Sequence, residues 1–174
     1  MLPSGNDAAL ALASWAGALL ASNPEETAPL SAFINRMNAN AKSLEMRHSC
    51  FGNPHGLPNF RNSSNPYDLA LLIAKCLAIP LFLKVVGTQK YSAWITNEGV
   101  KKEVLWDNTN KLLRRKGFVG VKTGVTVTAG PCLASCYHNC GKTFIVVLLR
   151  ANKLSRRFKE TRLLLGWTLR KYDS

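Results

Sequence analysis

The chain has 174 residues, of which 47% are hydrophobic and 19% are charged, which fits one globular domain and excludes a disordered chain. Five cysteines are an odd number, so the chain is not a disulfide scaffold, and the pairing of its thiols stays open. The net charge of +13 comes mainly from residues 111–174, where Lys and Arg far outnumber the acids. This excess indicates either an ordinary solvated basic face or a surface that attracts an acidic polymer.

The N-terminal residues predict a helix. The stretch AALALASWAGALLA, residues 8–21, is typical of an amphipathic or buried helix that Asp7 could cap. It is too short to cross a bilayer, and no basic leader precedes it. We therefore expect neither a transmembrane segment nor a signal peptide in this chain.

Two more helices are expected before residue 80. Ser22-Asn23-Pro24-Glu25-Glu26 is a typical helix start, with a polar cap, a proline in the first turn and acids near the helix N-terminus. The helix that follows has one apolar face at helical spacing, formed by Leu30, Phe33, Ile34, Met37, Ala41 and Leu44. After the Gly- and Pro-rich residues 50–60, Ser64-Asn65-Pro66 opens a third helix over roughly 66–78. Its nearly all-apolar sequence indicates burial.

The second half of the chain reads as strands. TQKYSAWIT and KKEVLW predict two short strands around an Asn-Glu-Gly turn, and FVGVKTGVTV, PCLASCYH and KTFIVVLLR predict three more. Asn139-Cys140-Gly141 fits a hairpin turn between the last two strands. A helix over about 155–171 closes the chain, with Phe158, Thr161, Leu165 and Thr168 along one stripe. Helices, then an antiparallel sheet, then a terminal helix predict an α+β fold in one domain.

Six stretches then point to a family. LPSGNDAALALA, FINRMNANAKSLEM, CFGNPHGL, YDLALLIAKCL, NTNKLL and VKTGVTVTAGPCL occur in this order. Together they resemble the serine-type D-alanyl-D-alanine carboxypeptidases, the low-molecular-mass penicillin-binding proteins, over roughly residues 2–170. The resemblance implies an α+β fold like part of the penicillin-binding-protein and β-lactamase transpeptidase domain, over residues 1–174. It also implies removal of a terminal D-Ala from peptidoglycan stem peptides through an acyl-enzyme.

The resemblance implies a role for each of five residues. Ser4 and Asn6 match the Ser-x-Asn motif, in which the serine relays a proton to the leaving amine and the asparagine holds the substrate amide and braces the catalytic lysine. Lys122 matches the lysine of Lys-Thr-Gly, whose charge faces the substrate carboxylate. Thr123 would donate a hydrogen bond to that carboxylate, and Gly124 would leave the strand edge bare for the substrate backbone. Without the whole pattern, Ser4 and Asn6 read as helix-capping residues and Lys122 as an exposed lysine at a strand end.

One element of the family site has no match in the sequence. The family nucleophile lies in a Ser-x-x-Lys motif upstream of Ser-x-Asn, and none of the serines in these 174 residues has a lysine three positions later. Only Thr168 and Lys171 have this spacing, in the terminal helix. We therefore expect the nucleophile helix and the N-terminal strands of the family to be absent from this chain.

Other candidate sites are weaker. Asn53-Pro54-His55-Gly56 also matches the family, and we interpret His55 as a structural loop residue because the chemistry of the family runs on serine and lysine. Cys132, Cys136, His138 and Cys140 could suggest zinc, but their spacing does not fit a zinc ribbon or finger, so ordinary packing is favoured. We expect no metal and no organic cofactor.

Three functions follow from these observations, in decreasing order. The first is the carboxypeptidase, whose partner is a D-Ala-D-Ala-terminated peptide or a β-lactam and whose place, by resemblance, is extracytoplasmic. The second is a catalytically inactive remnant of that family that binds peptide or cell wall, including an acidic polymer at the basic C-terminal third. The third is a nucleic-acid binder, which the basic charge would favour, but the sequence contains no recognition module.

Overall fold

The chain was analysed as a computed structural model that describes residues 1–21 and 28–172. Within these ranges the helices are Asn6–Leu20 (α1), Pro29–Ser43 (α2), Pro66–Leu77 (α3), Pro80–Gly87 (α4) and Arg156–Tyr172 (α5). The strands are Lys90–Asn97 (β1), Val100–Asp107 (β2), Phe118–Thr126 (β3), Gly130–Asn139 (β4) and Lys142–Leu148 (β5). A short 3₁₀ helix, Lys111–Arg114, joins β2 to β3.

The first helix begins two residues earlier than expected and is capped differently. Gly5 is its N-cap, and no side chain closes the first turn. The prediction that Asp7 caps the helix is wrong, because Asp7 lies inside the first turn, where its carboxylate accepts from the Ala8 N–H. A carboxylate there still interacts favourably with the positive end of the helix dipole.

The next two helices follow the predicted pattern. The predicted start at Ser22–Glu26 lies outside the described residues, and the helix seen begins at Pro29. Every residue of the predicted apolar face of α2 is buried or half-buried, which confirms that face. Asn65 caps α3 by accepting the Asp68 N–H, as a polar residue before a proline favours.

The strands form two antiparallel sheets rather than the single sheet expected. Among the strands that the structure describes, β1 pairs only with β2, as a hairpin, while β4 lies between β3 and β5 in a three-stranded sheet. Both predicted turns are confirmed. The hairpin turn at Cys140 and Gly141 has positive φ at both positions, 47° and 74°, as a type I′ turn requires.

Helices cover both faces of the three-stranded sheet. α3 and α4 pack on one face, where Ile73, Val86, Val121 and Cys136 form one core cluster. α5 packs on the other face, where Leu165 meets Leu112, Phe118 and Leu133. The predicted α+β organisation is confirmed, and the cores on each side hold β3 in place at one edge of the sheet.

Among the described helices, none alone has both the length and the hydropathy needed to cross a membrane. α3 and α4 reach those criteria only when taken together, and they meet at an angle of 110°.

Candidate active site

The residues of the two predicted motifs meet at the outer edge of β3. The Lys122 ammonium donates a hydrogen bond to Ser4 Oγ at 2.7 Å, across 118 residues of sequence. It also donates to the carbonyl of Thr123. This contact brings Ser-Gly-Asn against Lys-Thr-Gly, as the sequence pattern predicts.

The segment before α1 is held in place by Thr109. The Leu2 carbonyl accepts from the Thr109 N–H at 3.3 Å, and Leu2 itself is buried. Ser4 has a left-handed backbone with φ of 63°, which is uncommon for a residue with a side chain. Asn6 follows as the first residue of α1 and is exposed in the same cleft.

The other two motif residues lie on β3 and differ in exposure. Thr123 is buried, and its Oγ1 lies 2.6 Å from Oγ1 of Thr109. Gly124 is exposed, and a Cβ built on it would meet no atom within 4 Å. Since β3 pairs only with β4 among the described strands, its outer edge is open along Gly124. An extended peptide could add to this edge as a further strand.

A loop forms the facing wall of the cleft. His55, Gly56 and Leu57 line it opposite Lys122. His55 Nδ1 accepts the Leu57 N–H at 3.2 Å, so in the neutral ring the proton is on Nε2. His55 thus makes a structural bond in the loop and also borders the cleft.

Two helices anchor this loop. Asn38 of α2 makes a pair of hydrogen bonds with the backbone of Phe51, accepting its N–H and donating to its carbonyl, both at 2.8 Å. The buried Asp68 of α3 accepts from the His48 N–H and from Ser49 Oγ, also at 2.8 Å. Polar side chains buried with such partners hold a backbone in a single conformation.

The enclosed space is large enough for a short peptide. The cleft has a volume of about 490 Å³, and all five predicted site residues line it. A larger groove of about 680 Å³ continues past His55, lined in part by apolar side chains of α2 and α3. Pockets of this size are typical of small-ligand sites.

The electrostatics favour a lysine that can release its proton. Burial lowers the pKa of Lys122, and the nearby Arg157 guanidinium lowers it further. Arg157 is itself a cleft residue that the sequence analysis missed. Its buried guanidinium donates to the carbonyls of Gly124 at 2.8 Å and Cys132 at 3.1 Å. One signal was available, because Arg157 lies one helical turn before Thr161 on the buried stripe of α5.

The model of the D-alanyl-D-alanine carboxypeptidase family matches residues 1–153. The chain belongs to this family. It is 35% identical to a D-alanyl-D-alanine carboxypeptidase of Streptomyces sp. strain K15 over 160 residues, 90% of this chain and 54% of that protein. It is 29% identical to the carboxypeptidase DacF of Bacillus subtilis over 174 residues, 99% of this chain and 41% of that protein.

Solved structures agree with the family assignment. The Streptomyces DD-transpeptidase crystal structure superposes with a TM-score of 0.86 at 34% identity, covering 96% of this chain and 63% of that one. Penicillin-binding protein D2 of Listeria monocytogenes, solved in its cefotaxime-bound form, superposes with a TM-score of 0.76 at 29% identity. The match covers 95% of this chain and 62% of that one. The chain thus spans about half the length of the curated relatives and less than two thirds of the solved ones. The predicted family and partial transpeptidase-like fold are confirmed.

The family membership leaves some predictions untested. The roles of Ser4, Asn6, Lys122, Thr123 and Gly124 remain predictions that the geometry supports. The single partial domain over residues 1–174 also remains a prediction. The acidic polymer predicted for the basic C-terminal third also stays a prediction.

The cysteine cluster is spread over three environments. Cys136 is buried in the core, Cys132 is half-buried beside the cleft, and Cys140 is exposed in the hairpin turn. His138 Nδ1 lies 3.0 Å from Thr143 Oγ1. In the described part of the chain, no group of three or more His, Cys, Asp or Glu side chains could hold a metal ion.

Proposed function

We propose that this chain supplies the substrate-binding and proton-relay groups of a serine D-Ala-D-Ala carboxypeptidase, which removes the terminal D-Ala of a peptidoglycan stem peptide through an acyl-enzyme. The observation that carries this proposal is the 2.7 Å hydrogen bond between Lys122 and Ser4, in a cleft beside an open strand edge. The family to which the chain belongs supports the same reaction.

The substrate backbone adds to the outer edge of β3. Gly124 has no side chain to obstruct it, and the cleft wall at His55 to Leu57 limits how far the peptide can lie from that edge. Main-chain hydrogen bonds along an open edge align an extended peptide in one register. The bond to be cleaved then lies near Ser4.

The terminal carboxylate of the substrate binds on the positive side of the cleft. Lys122 and Arg157 both line the site, and either can attract an anion. Thr123 adds a neutral donor. When Thr109 donates its hydroxyl proton to Thr123 Oγ1, the Thr123 proton is free to bond the carboxylate.

Ser4 passes a proton between Lys122 and the leaving amine. Because the pKa of Lys122 is lowered, its ammonium releases a proton to Ser4 Oγ more readily than an ordinary lysine. Ser4 then donates its own hydroxyl proton to the departing D-Ala nitrogen. The acylated hydroxyl of the family belongs to a Ser-x-x-Lys motif that does not occur in these 174 residues, so the proposal assigns no nucleophile to this chain.

Binding can be tested on the chain itself. We expect an N-acylated peptide ending in D-Ala-D-Ala to shift the NMR signals of β3 amides and to bind at least about tenfold more tightly than the same peptide with an amidated C-terminus. Lys122→Met should remove that preference, while the exposed Lys116→Met, a matched control, should keep it. Equal binding of the acid and the amide would refute the proposed site.

Catalysis needs a separate test. The intact mass of the protein isolated from its source should rise by one penicillin after treatment with the antibiotic. No adduct, together with the expected peptide binding, would favour the second candidate, a peptide-binding member of the family without hydrolysis. The absence of Ser-x-x-Lys from this sequence is the observation that keeps this candidate open.

A further inference from the structure

The β1–β2 hairpin exposes large apolar side chains on both faces. Tyr91, Trp94, Val100 and Leu105 are 57%, 63%, 68% and 59% exposed. The hairpin is held mainly by its own pairing, since no other described helix or strand packs extensively against it. A free two-stranded hairpin is marginally stable in water, and exposed apolar patches of this kind mark interaction surfaces.

Both outer edges of the hairpin are also open. Among the described strands, β1 and β2 pair only with each other. An unpaired edge presents a row of N–H and C=O groups that another strand can satisfy. A native edge is protected when its charges repel any incoming strand, so the charges of β2 decide which strand it accepts.

We propose that β2 pairs antiparallel with β2 of a second copy of this chain, with the two Val104 residues facing each other at a two-fold axis. The two hairpins then form one continuous four-stranded sheet. In this register Lys101 lies opposite Asp107 of the second copy and Lys102 lies opposite Trp106 of the second copy. Two-fold symmetry makes each of these contacts twice, one an ion pair and the other a cation–π contact.

Neighbouring registers are excluded by charge. In a symmetric pairing, the residue on the axis faces its own copy. An axis at Lys102 sets lysine against lysine, and an axis at Glu103 sets glutamate against glutamate. An axis at Leu105 sets Glu103 against Asp107 of the second copy. Like charges directly opposite destabilise a strand pair, so the Val104 register is favoured among these four.

The charge of the hairpin also favours a second copy over an anionic surface. The basic residues of the hairpin, Lys90, Lys101 and Lys102, are matched in number by its acids, Glu98, Glu103 and Asp107. The basic excess of the chain lies instead in residues 111–174. A membrane or an acidic polymer would therefore gain little from the hairpin, whereas a self-complementary strand gains opposite charges at both ends.

Oligomeric state tests the pairing independently of the proposed enzyme function. We expect sedimentation equilibrium of the full chain to show a monomer–dimer equilibrium. Val104→Lys should weaken the dimer at least about tenfold, because it sets two lysines against each other on the axis. Val100→Lys adds the same charge at the exposed end of the same strand, and it should change the dissociation constant less than about twofold.

A charge exchange supplies the second measurement. Lys101→Asp alone should weaken the dimer, because it sets two acids opposite each other, and adding Asp107→Lys in the same chain should restore it. Asp107→Lys also removes the ion pair between Lys90 and Asp107 within one chain. That pair, at 3.6 Å, is largely exposed and contributes little to folding, so its loss should not alter the measured dimer affinity. A folded chain that stays monomeric, or a dimer that is indifferent to Val104→Lys and to the exchange, would overturn the proposal.

Discussion

The sheet of β3, β4 and β5 lies between helices on both faces, whereas no described helix or strand packs extensively on either face of the β1–β2 hairpin. Both are built from sequences with ordinary strand propensity. The covered sheet gains its stability from burial, and it carries the Lys-Thr-Gly residues on an edge that the cores hold in place. The hairpin depends on cross-strand pairs and exposes its apolar side chains. The comparison teaches that burial on both faces holds the proposed substrate-binding edge of β3 in place, whereas the edge of β2 for which we propose self-pairing lies on a hairpin without such support.

The largest expected difference comes from matched leucines. Leu133 on β4 is 1% exposed and Leu105 on β2 is 59% exposed. Leu133→Ala should lower the free energy of unfolding by about 3 kcal/mol, because it leaves a cavity in the core under α5. Leu105→Ala should change it by less than about 0.5 kcal/mol. Urea unfolding of both variants checks this, and comparable losses would show that the hairpin is part of the core.

Arg157 links the covered sheet to the cleft. Arg157→Met should lower the free energy of unfolding by about 2 kcal/mol, because it removes the donors to the carbonyls of Gly124 and Cys132. It should also weaken binding of the D-Ala-D-Ala peptide. The neighbouring Arg156 is exposed on the same helix, so Arg156→Met is the control and should leave both urea unfolding and peptide affinity nearly unchanged. A loss of stability without a loss of affinity would make Arg157 purely structural.

The lowered pKa of Lys122 predicts a pH-dependent stability. Between its folded pKa and its ordinary value of 10.5, the unfolded chain binds more protons at this residue, so its contribution to folding becomes more favourable as the pH rises. Lys122→Met should therefore gain stability relative to the parent chain as the pH falls from about 10.5 towards about 7, because the parent alone loses this contribution. Urea titrations at several pH values measure it, with Lys116→Met as the control. A gain that does not change with pH would contradict the burial of the charge.

The smallest effect is expected in the hairpin. Tyr91 stacks on Trp106 with ring centroids 6.1 Å apart. Tyr91→Ala should reduce the stability of the hairpin by about 0.5 kcal/mol, because this cross-strand pair is lost. Hydrogen exchange of the hairpin amides should then become about twofold faster. Tyr67→Ala, a change at another largely exposed tyrosine on α3, should leave the exchange rate of those amides unchanged. If the exchange slows or stays the same, the hairpin is stabilised by something other than its own pairs.

Much of the secondary structure was predictable because its signals are local. The alternation in β3 to β5, the Asn-Pro start of α3 and the turn at Asn139–Gly141 each depend on a few neighbouring residues. α4 was missed because IPLFLKVVG is short and apolar throughout, so no periodicity distinguishes a helix from a strand. The division into two sheets was missed because strand pairing is a long-range property.

The candidate site was predictable only where motifs carry it. Ser4, Asn6 and Lys122 to Gly124 belong to recognisable patterns, and the structure brings them together. Arg157 has no motif, and its role depends on where α5 crosses the end of β3 and β4. The bond between Thr109 and Thr123 was equally hidden, since nothing in the sequence indicates that these two threonines contact each other.

The paired hydrogen bonds between Asn38 and Phe51 have a consequence for the speed of ligand binding. They tie the loop that forms the far wall of the cleft to α2 before any ligand arrives. Because this loop is already ordered, binding has to order only the peptide, and no closure of the loop slows the association. We therefore expect its association rate to follow solvent viscosity and ionic strength, as an encounter-controlled process does, and differences in affinity among peptides to reside in how fast they leave.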